Sequence, residues 1–319
     1  MTDKPDLAAL FGAADTDSFL GLEKSDPFGE ITASSAFLGV PCATPYRSVG
    51  AYARNGPQSV RDAAASLTSN LDRYNFDLDG VTFPEGCLAA VDCGDVGWDE
   101  QDFASNRAGI KQAVSALCRQ NVIPICVGGD DSIPIPMIEA LSEASDKKFT
   151  ILQIDAHIDW RDSHMDERYG LSSTMRRASE MAHISTIIQV GARGIGSAHP
   201  DDYRDALEWG VQFFSAQHIH ENGIAQVTDS IKPDCNLIIC FDIDALDPAF
   251  TPNTIGRAPG GLTYTQALSL LKAAAGKSKI CAVDFAEIMP EVDIDSVGAL
   301  TVSRLITAVM GLIARQQPV

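Results

Sequence analysis

Two apolar runs, each ending in clustered carboxylates, constrain this chain most. Phe149-Thr150-Ile151-Leu152-Gln153-Ile154 leads into Asp155-Ala156-His157-Ile158-Asp159, and Leu237-Ile238-Ile239-Cys240-Phe241 leads into Asp242-Ile243-Asp244. Each run has the length and side chains of a buried strand. Extended backbone alternates its faces, which lets Asp155, His157 and Asp159 share one side, and likewise Asp242 and Asp244. If the two strands are parallel neighbours, four carboxylates and an imidazole converge at their carboxyl ends. Burying that much negative charge is expensive without a cation. Two divalent metal ions are the simplest compensation.

The rest of the chain repeats this rhythm. Further strands are expected at 36–40, 88–91, 123–127, 186–190, 212–214 and 280–285, and helices at 57–67, 104–119, 133–144, 203–208, 264–275 and 297–314. Pro57 suits a first helical turn and Thr263 an N-cap. Alternation of strand and helix predicts an α/β fold, a three-layer α/β/α sandwich with a mostly parallel, doubly wound sheet. The loops at 42–55, 160–173 and 247–261 follow strands. Ligands of such sheets bind beyond the carboxyl ends of the strands, so these loops are expected to wall one pocket. No repeat or linker divides the chain. An N-terminal arm over 1–30 and a single domain over 31–319 are expected.

Charge narrows the partners. The 24 Lys plus Arg stand against 43 Asp plus Glu, for a net charge of −19. A surface this acidic argues against nucleic acid and favours a small cationic substrate. No apolar run approaches the roughly 20 residues of a membrane span, and residues 1–24 lack the basic and apolar regions of a secretory signal. The eight cysteines contain no Cys-x-x-Cys, and most sit in strand-like contexts such as Ile125-Cys126-Val127. They read as reduced thiols of a cytoplasmic protein.

Several further motifs point together to one family. They are Gly56-Pro57-Gln58-Ser59-Val60-Arg61, Gly128-Gly129-Asp130-Asp131-Ser132, Gly191-Ala192-Arg193-Gly194, Pro259-Gly260-Gly261-Leu262 and Val283-Asp284-Phe285-Ala286-Glu287. With the two carboxylate motifs, they make the chain resemble the ureohydrolase superfamily of arginases, agmatinases and guanidinobutyrases, agmatinase-like members most of all. The resemblance implies an arginase-like fold and a metal-dependent hydrolase that cleaves a guanidino compound to urea and an amine. It implies two divalent ions, manganese first and nickel as the alternative. Asp155 and Asp242 would bridge the ions, Asp159 and Asp131 would complete one shell, and His157 and Asp244 the other. Water activated between two such ions becomes a nucleophile at moderate pH. Glu287 would hold the guanidinium, whose planar fork matches a carboxylate. Glu287 and Asp159 are the candidate catalytic residues. The resemblance also implies a trimer or hexamer.

Two positions depart from the family pattern. Most relatives carry a metal-binding histidine where this chain has Asp131. Asp131 either ligates through oxygen, adding a negative charge to the shell, or points away and leaves one ion weakly held. Many agmatinases carry a His-Gly pair where this chain has Tyr169-Gly170, and tyrosine is a poor base near neutral pH. Tyr169 and Trp160 are candidate substrate contacts, Trp160 through cation–π stacking, with loop packing as its alternative. Arg61 and Arg193 are expected to brace the fold or subunit contacts. The two departures leave a second reading open: a catalytically silent paralogous subunit that keeps the fold and pairs with an active ureohydrolase. The five intact ligands and Glu287 favour the enzyme.

Overall fold

Every expected strand forms, and all eight join one parallel sheet. The computed structural model describes residues 17–316. The strands are β1 (Ser35–Gly39), β2 (Ala90–Asp95), β3 (Ile123–Val127), β4 (Phe149–Ile154), β5 (Ile184–Val190), β6 (Gln212–Phe214), β7 (Asn236–Asp242) and β8 (Lys279–Ala286). Their order is β2-β1-β3-β8-β7-β4-β5-β6, with every pairing parallel. "Mostly parallel" thus becomes wholly parallel among the described residues. β3 and β4, consecutive in the chain, are separated by β8 and β7. That reversal of winding is where open α/β sheets place their ligands.

The strands are buried on both faces, so they read as continuous apolar runs. Phe37, Ile125, Leu152, Ile239 and Val283 face one core, together with Val60, Leu271 and Leu305. Their neighbours Ala36, Cys126, Ile151, Ile238 and Ala282 face the other core, with Val114, Met137 and Met175. The first layer holds α1 (Gly56–Ala64), α6 (Ala216–Asn222), α7 (Ala225–Ser230), α8 (Tyr264–Lys277) and α9 (Val297–Gln316). The second holds α2 (Phe103–Arg119), α3 (Pro134–Ala144), α4 (Thr174–Ser179) and α5 (Pro200–Trp209). This is the expected three-layer α/β/α fold.

Local signals explain several helix ends. Pro57 stands in the first turn of α1. Thr263 caps α8 in a capping box with Gln266, which satisfies otherwise orphaned backbone donors. The sequence pattern missed α4, α6 and α7, which have 6, 7 and 6 residues. Helices this short depend on tertiary packing and carry little periodicity of their own.

Helix α9 corrects the statement that no apolar run nears membrane length. It has 20 residues and is apolar enough to cross a bilayer by length and composition, yet 72% of its most apolar window is buried inside the protein. It is a core helix. Of the arm expected over 1–30, residues 1–16 lie outside the described residues. From Phe19 the chain is laid against the sheet: Phe19 stacks on Phe37 at 4.9 Å between ring centroids, and its amide donates to Asp92 at 2.6 Å. Asp92 is also held by Arg61 at 2.8 Å, so Arg61 braces the fold as expected.

Candidate metal centre and active site

β3, β8, β7 and β4 are the middle strands of the sheet, and each delivers a carboxylate at its carboxyl end. Asp131 follows β3, Glu287 follows β8, Asp242 ends β7 and Asp155 follows β4. The pairing of Ile154 with Phe241 makes Asp155 and Asp242 lateral neighbours. Two groups of potential ligand atoms result, each with all atoms within 4.8 Å of one another: Asp155, His157, Asp242 and Asp244, and Asp131, Asp155 and Asp159. Asp155 belongs to both, as a bridging ligand must. Asp242, also expected to bridge, belongs to the first group only.

The convergence within each motif does not come from strand alternation. β4 stops at Ile154 and β7 at Asp242. Beyond them, the Asp155 carboxylate accepts from the His157 amide at 2.6 Å, and the Asp242 carboxylate from the Asp244 amide at 2.7 Å. Each leading aspartate thus folds its own chain into an Asx-type turn, which brings residue i+2 to the same side. Asp244 is steadied by the Ala156 amide at 3.0 Å. Asp159 bends back with a φ of 43°, its carbonyl accepting from the amides of Met175 and Arg176 at 3.1 Å. The first turn of α4 therefore places Asp159.

Behind the ligands lies a buried amide relay that the sequence reading missed. Gln153 Nε2 donates to Asp155 at 2.7 Å and to Asp159 at 2.8 Å, and its carbonyl accepts from Gln189. Gln153 and Gln189 are paired across β4 and β5 and are almost fully buried. Glutamines inside otherwise apolar strands were the available signal. Such outer partners orient metal ligands and tune them.

The Gly128-Gly129 turn has φ values of 93° and 71°, open to glycine at little cost. A Cβ on Gly129 would meet the carbonyl of Val40 at 2.6 Å. The turn sends the two aspartates different ways. Asp130 accepts from the Thr44 amide and the Ser132 hydroxyl, each at 2.5 Å, and ties the loop together. Asp131 faces the cluster with Oδ2 buried and without a hydrogen-bond partner. A buried carboxylate oxygen left unpaired is costly. A cation is the partner that this position fits.

Electrostatics agree. Burial, then the charges of Asp159 and Asp155, push the Asp131 pKa well above the usual carboxylate range. Burial and neighbouring carboxylates do the same at Asp159 and Asp242. Asp155 moves the other way, because hydrogen bonds, His157 first, outweigh its burial. Burial opposes charge on His157, but Asp155 and Asp244 outweigh it and hold its pKa up at about 12. Its Nδ1 lies 3.0 Å from Asp244. The cluster favours bound positive charge, as protons or as cations. Divalent cations would replace the protons.

Glu287 sits at a φ of 67°, and its amide donates to Gly129 at 2.9 Å. Its carboxylate accepts from the Asp131 amide at 2.9 Å and from the Tyr52 hydroxyl at 2.7 Å. Burial, then the Asp130 charge, raise its pKa to about 8. Tyr52 was not anticipated. Strained backbone at both Asp159 and Glu287 fits a site whose geometry is enforced from outside.

The cavity facing these groups measures about 220 Å³. Besides Asp131, His157, Asp159, Asp242, Asp244 and Glu287, it is lined by segments 160–161, 171–172, 196–198 and 255–256 and by Asp202. Loops 160–173 and 247–261 wall it as expected. Loop 42–55 instead reaches Glu287 from behind, through Tyr52, and the segment 196–198 was not foreseen. Gly256 packs so closely that a Cβ there would stand 2.7 Å from Asp244 Oδ2.

Of the two expected aromatic contacts, Trp160 lines the cavity and Tyr169 does not. Trp160 is buried, donates to Asp205 at 2.8 Å and packs on Trp209 at 6.1 Å between centroids. Its side chain is thereby committed to loop packing, although the residue borders the cavity. Tyr169 does not line the cavity, and the Arg107 guanidinium lies over its ring at 4.0 Å. Arg193 braces the site floor, donating to the carbonyls of Asp244 at 2.6 Å and Ala258 at 2.9 Å. All eight cysteines are free thiols.

Known proteins resemble this chain in sequence and fold. The mitochondrial agmatinase of Gallus gallus is 28% identical over 277 residues, 85% of this chain and 78% of that one. The N(1)-aminopropylagmatine ureohydrolase of Thermus thermophilus is 30% identical over 262 residues, 82% of this chain and 84% of that one. The solved proclavaminate amidino hydrolase from Streptomyces clavuligerus superposes with a TM-score of 0.81 at 26% identity, over 95% of this chain and 98% of that one. The family model described as the Arginase family matches residues 33–311, and the chain belongs to that family.

Proposed function

We propose that this chain is a metal-dependent amidinohydrolase that cleaves a guanidino compound to urea and an amine. The observation that carries this reading is the pair of ligand groups sharing Asp155, with the buried, unpartnered Asp131 oxygen in one of them and Glu287 on the same cavity wall. The family's binuclear divalent centre fits these groups. Asp131, Asp155 and Asp159 would hold one ion, and Asp155, His157, Asp242 and Asp244 the other. When bound, two such cations supply the Lewis acidity that makes water a nucleophile near neutral pH. Oxygen-rich shells favour manganese among the candidate ions, with nickel the alternative.

Glu287 receives the substrate guanidinium across its planar fork and fixes the guanidinium carbon over the cluster. Tyr52 and the Asp131 amide hold the carboxylate in place. Asp159 lines the same cavity and is held by Gln153 at 2.8 Å, which would fix it as a ligand beside the reacting groups. The relatives' names, agmatinase and N(1)-aminopropylagmatine ureohydrolase, support a guanidino substrate. The family habit supports a homo-oligomer, a trimer or hexamer. Free thiols throughout support a cytoplasmic setting.

The test is urea release from a guanidino panel by protein reconstituted with Mn²⁺, Ni²⁺ or Co²⁺, with metal content measured alongside. Two ions per chain and metal-dependent urea are expected. Full metal occupancy with no urea from any guanidine would favour the silent-subunit reading.

A further inference from the structure

The cavity that holds the carboxylate cluster is also lined by an arginine that makes no ion pair among the described residues. Arg161 is half-buried and lines the cavity. Its backbone is fixed by an amide hydrogen bond to Ser172 at 3.1 Å, and its Nη1 lies 2.9 Å from His164 Nδ1. Burial, then the Arg161 charge, hold the His164 pKa down, so the ring accepts from the guanidinium and does not neutralise it. Among the described residues Arg161 makes no ion pair, and its Nε and Nη2 have no hydrogen-bond partner. Its neighbours differ. Arg168 and Arg177 pair with Asp162, and Arg176 with Asp205. In a chain of net charge −19, an arginine left without a carboxylate beside a cavity asks for an anion.

Two further features bear on what fills the cavity. Leu171, Ala198 and Ile255 supply apolar wall, suited to a short methylene chain. Asp202, half-buried in the first turn of α5, also lines it and makes no ion pair among the described residues. Its charge complements the amino end of its own helix. Arg161 has no such compensation.

We propose that Arg161 determines specificity and makes this enzyme a hydrolase of guanidino acids. The substrate guanidinium meets Glu287, and its carboxylate meets the free Nε–Nη2 edge of Arg161 in a bidentate pair. Asp202 accommodates an ammonium where the acid carries one. This rests on the guanidino-hydrolase reading above.

The test uses the metal-loaded full chain with 4-guanidinobutyrate, 3-guanidinopropionate, arginine, agmatine and neutral butylguanidine, following urea release and, separately, binding by calorimetry. The acids are expected to exceed butylguanidine in kcat/KM by at least about tenfold, as a charge-assisted bidentate pair implies. Arg161→Gln should shrink that ratio about tenfold, mainly through the KM of the acids, and Arg161→Lys should restore part of it. A preference for agmatine over the acids, or an equal loss toward acid and neutral substrates in Arg161→Gln, overturns the proposal. If no guanidine yields urea, the hydrolase reading fails and calorimetry decides this one. Acid binding that weakens in Arg161→Gln supports it, and unchanged binding overturns it.

Discussion

The Tyr52 hydroxyl stands 2.7 Å from each carboxylate oxygen of Glu287, a residue 235 positions further along the chain. One hydroxyl proton is shared between the two oxygens, so Tyr52 centres the carboxylate, while the Asp131 amide at 2.9 Å holds Oε1. Tyr52 is buried, and its own pKa is raised by burial first and then by Glu287, so it remains a donor.

Tyr52→Phe should therefore lower kcat/KM about 10- to 100-fold, the range for a hydrogen bond to a charged group. The pH profile separates positioning from general damage. Burial raises the Glu287 pKa to about 8 in the metal-free cluster, bound cations draw it down from there, and the group must be ionised to hold a guanidinium. Activity should rise with pH as Glu287 ionises, and loss of the Tyr52 hydrogen bond, which favours the ionised form, should move that limb to higher pH. An unmoved limb would mean that Tyr52 does not act through Glu287.

Asp131 tests whether the unusual residue is a ligand. Asp131→Ala should bind one ion fewer per chain and lose most of the urea-forming rate, whereas Asp131→His, with a neutral donor, should retain two ions. Metal analysis of the dialysed proteins reads this directly. Two ions and full activity in Asp131→Ala would show that its unpartnered oxygen holds nothing.

Gln153→Leu keeps a buried side chain of similar size but removes the donors to Asp155 and Asp159. Outer-shell losses of this kind cost about 10- to 100-fold in metal affinity or activity. Competition with a chromophoric chelator measures the affinity. If affinity and rate both hold, Gln153 is mere filling.

Chelated protein should become less stable as pH rises. Glu287 is raised from 4.5 to about 8 in the folded state, so between those values the folded protein holds a proton that the unfolded chain has released. Stability is then lost with rising pH. Asp131, Asp159 and Asp242 are raised and act in the same direction, and Asp155, which is lowered, opposes them. Bound divalent ions would replace the protons and flatten the slope. Thermal melts from about pH 5 to about pH 8.5, with and without chelator, test the linkage. A chelated protein whose Tm climbs across that range contradicts it.

Strands, long helices and the ligand motifs were legible in the sequence because each is encoded by neighbours along the chain. Apolar runs of strand length mark the sheet, helical periodicity marks α2 and α9, and Asp-x-His and Asp-x-Asp close their own turns. Tertiary structure decided the rest. The pairing of β4 with β7 put Asp155 beside Asp242, and no local pattern specifies which strands become neighbours. Arg107, remote in sequence, lies over the Tyr169 ring, and Asp205 and Trp209, equally remote, fix the Trp160 indole at the cavity edge. Tyr52 lay in an expected loop, and only the folded chain brings it to Glu287. Local sequence sets which way a backbone turns and which face is apolar. The partner that a polar or aromatic side chain meets depends on the packing of distant segments, and that is where this site acquires its positioning residues.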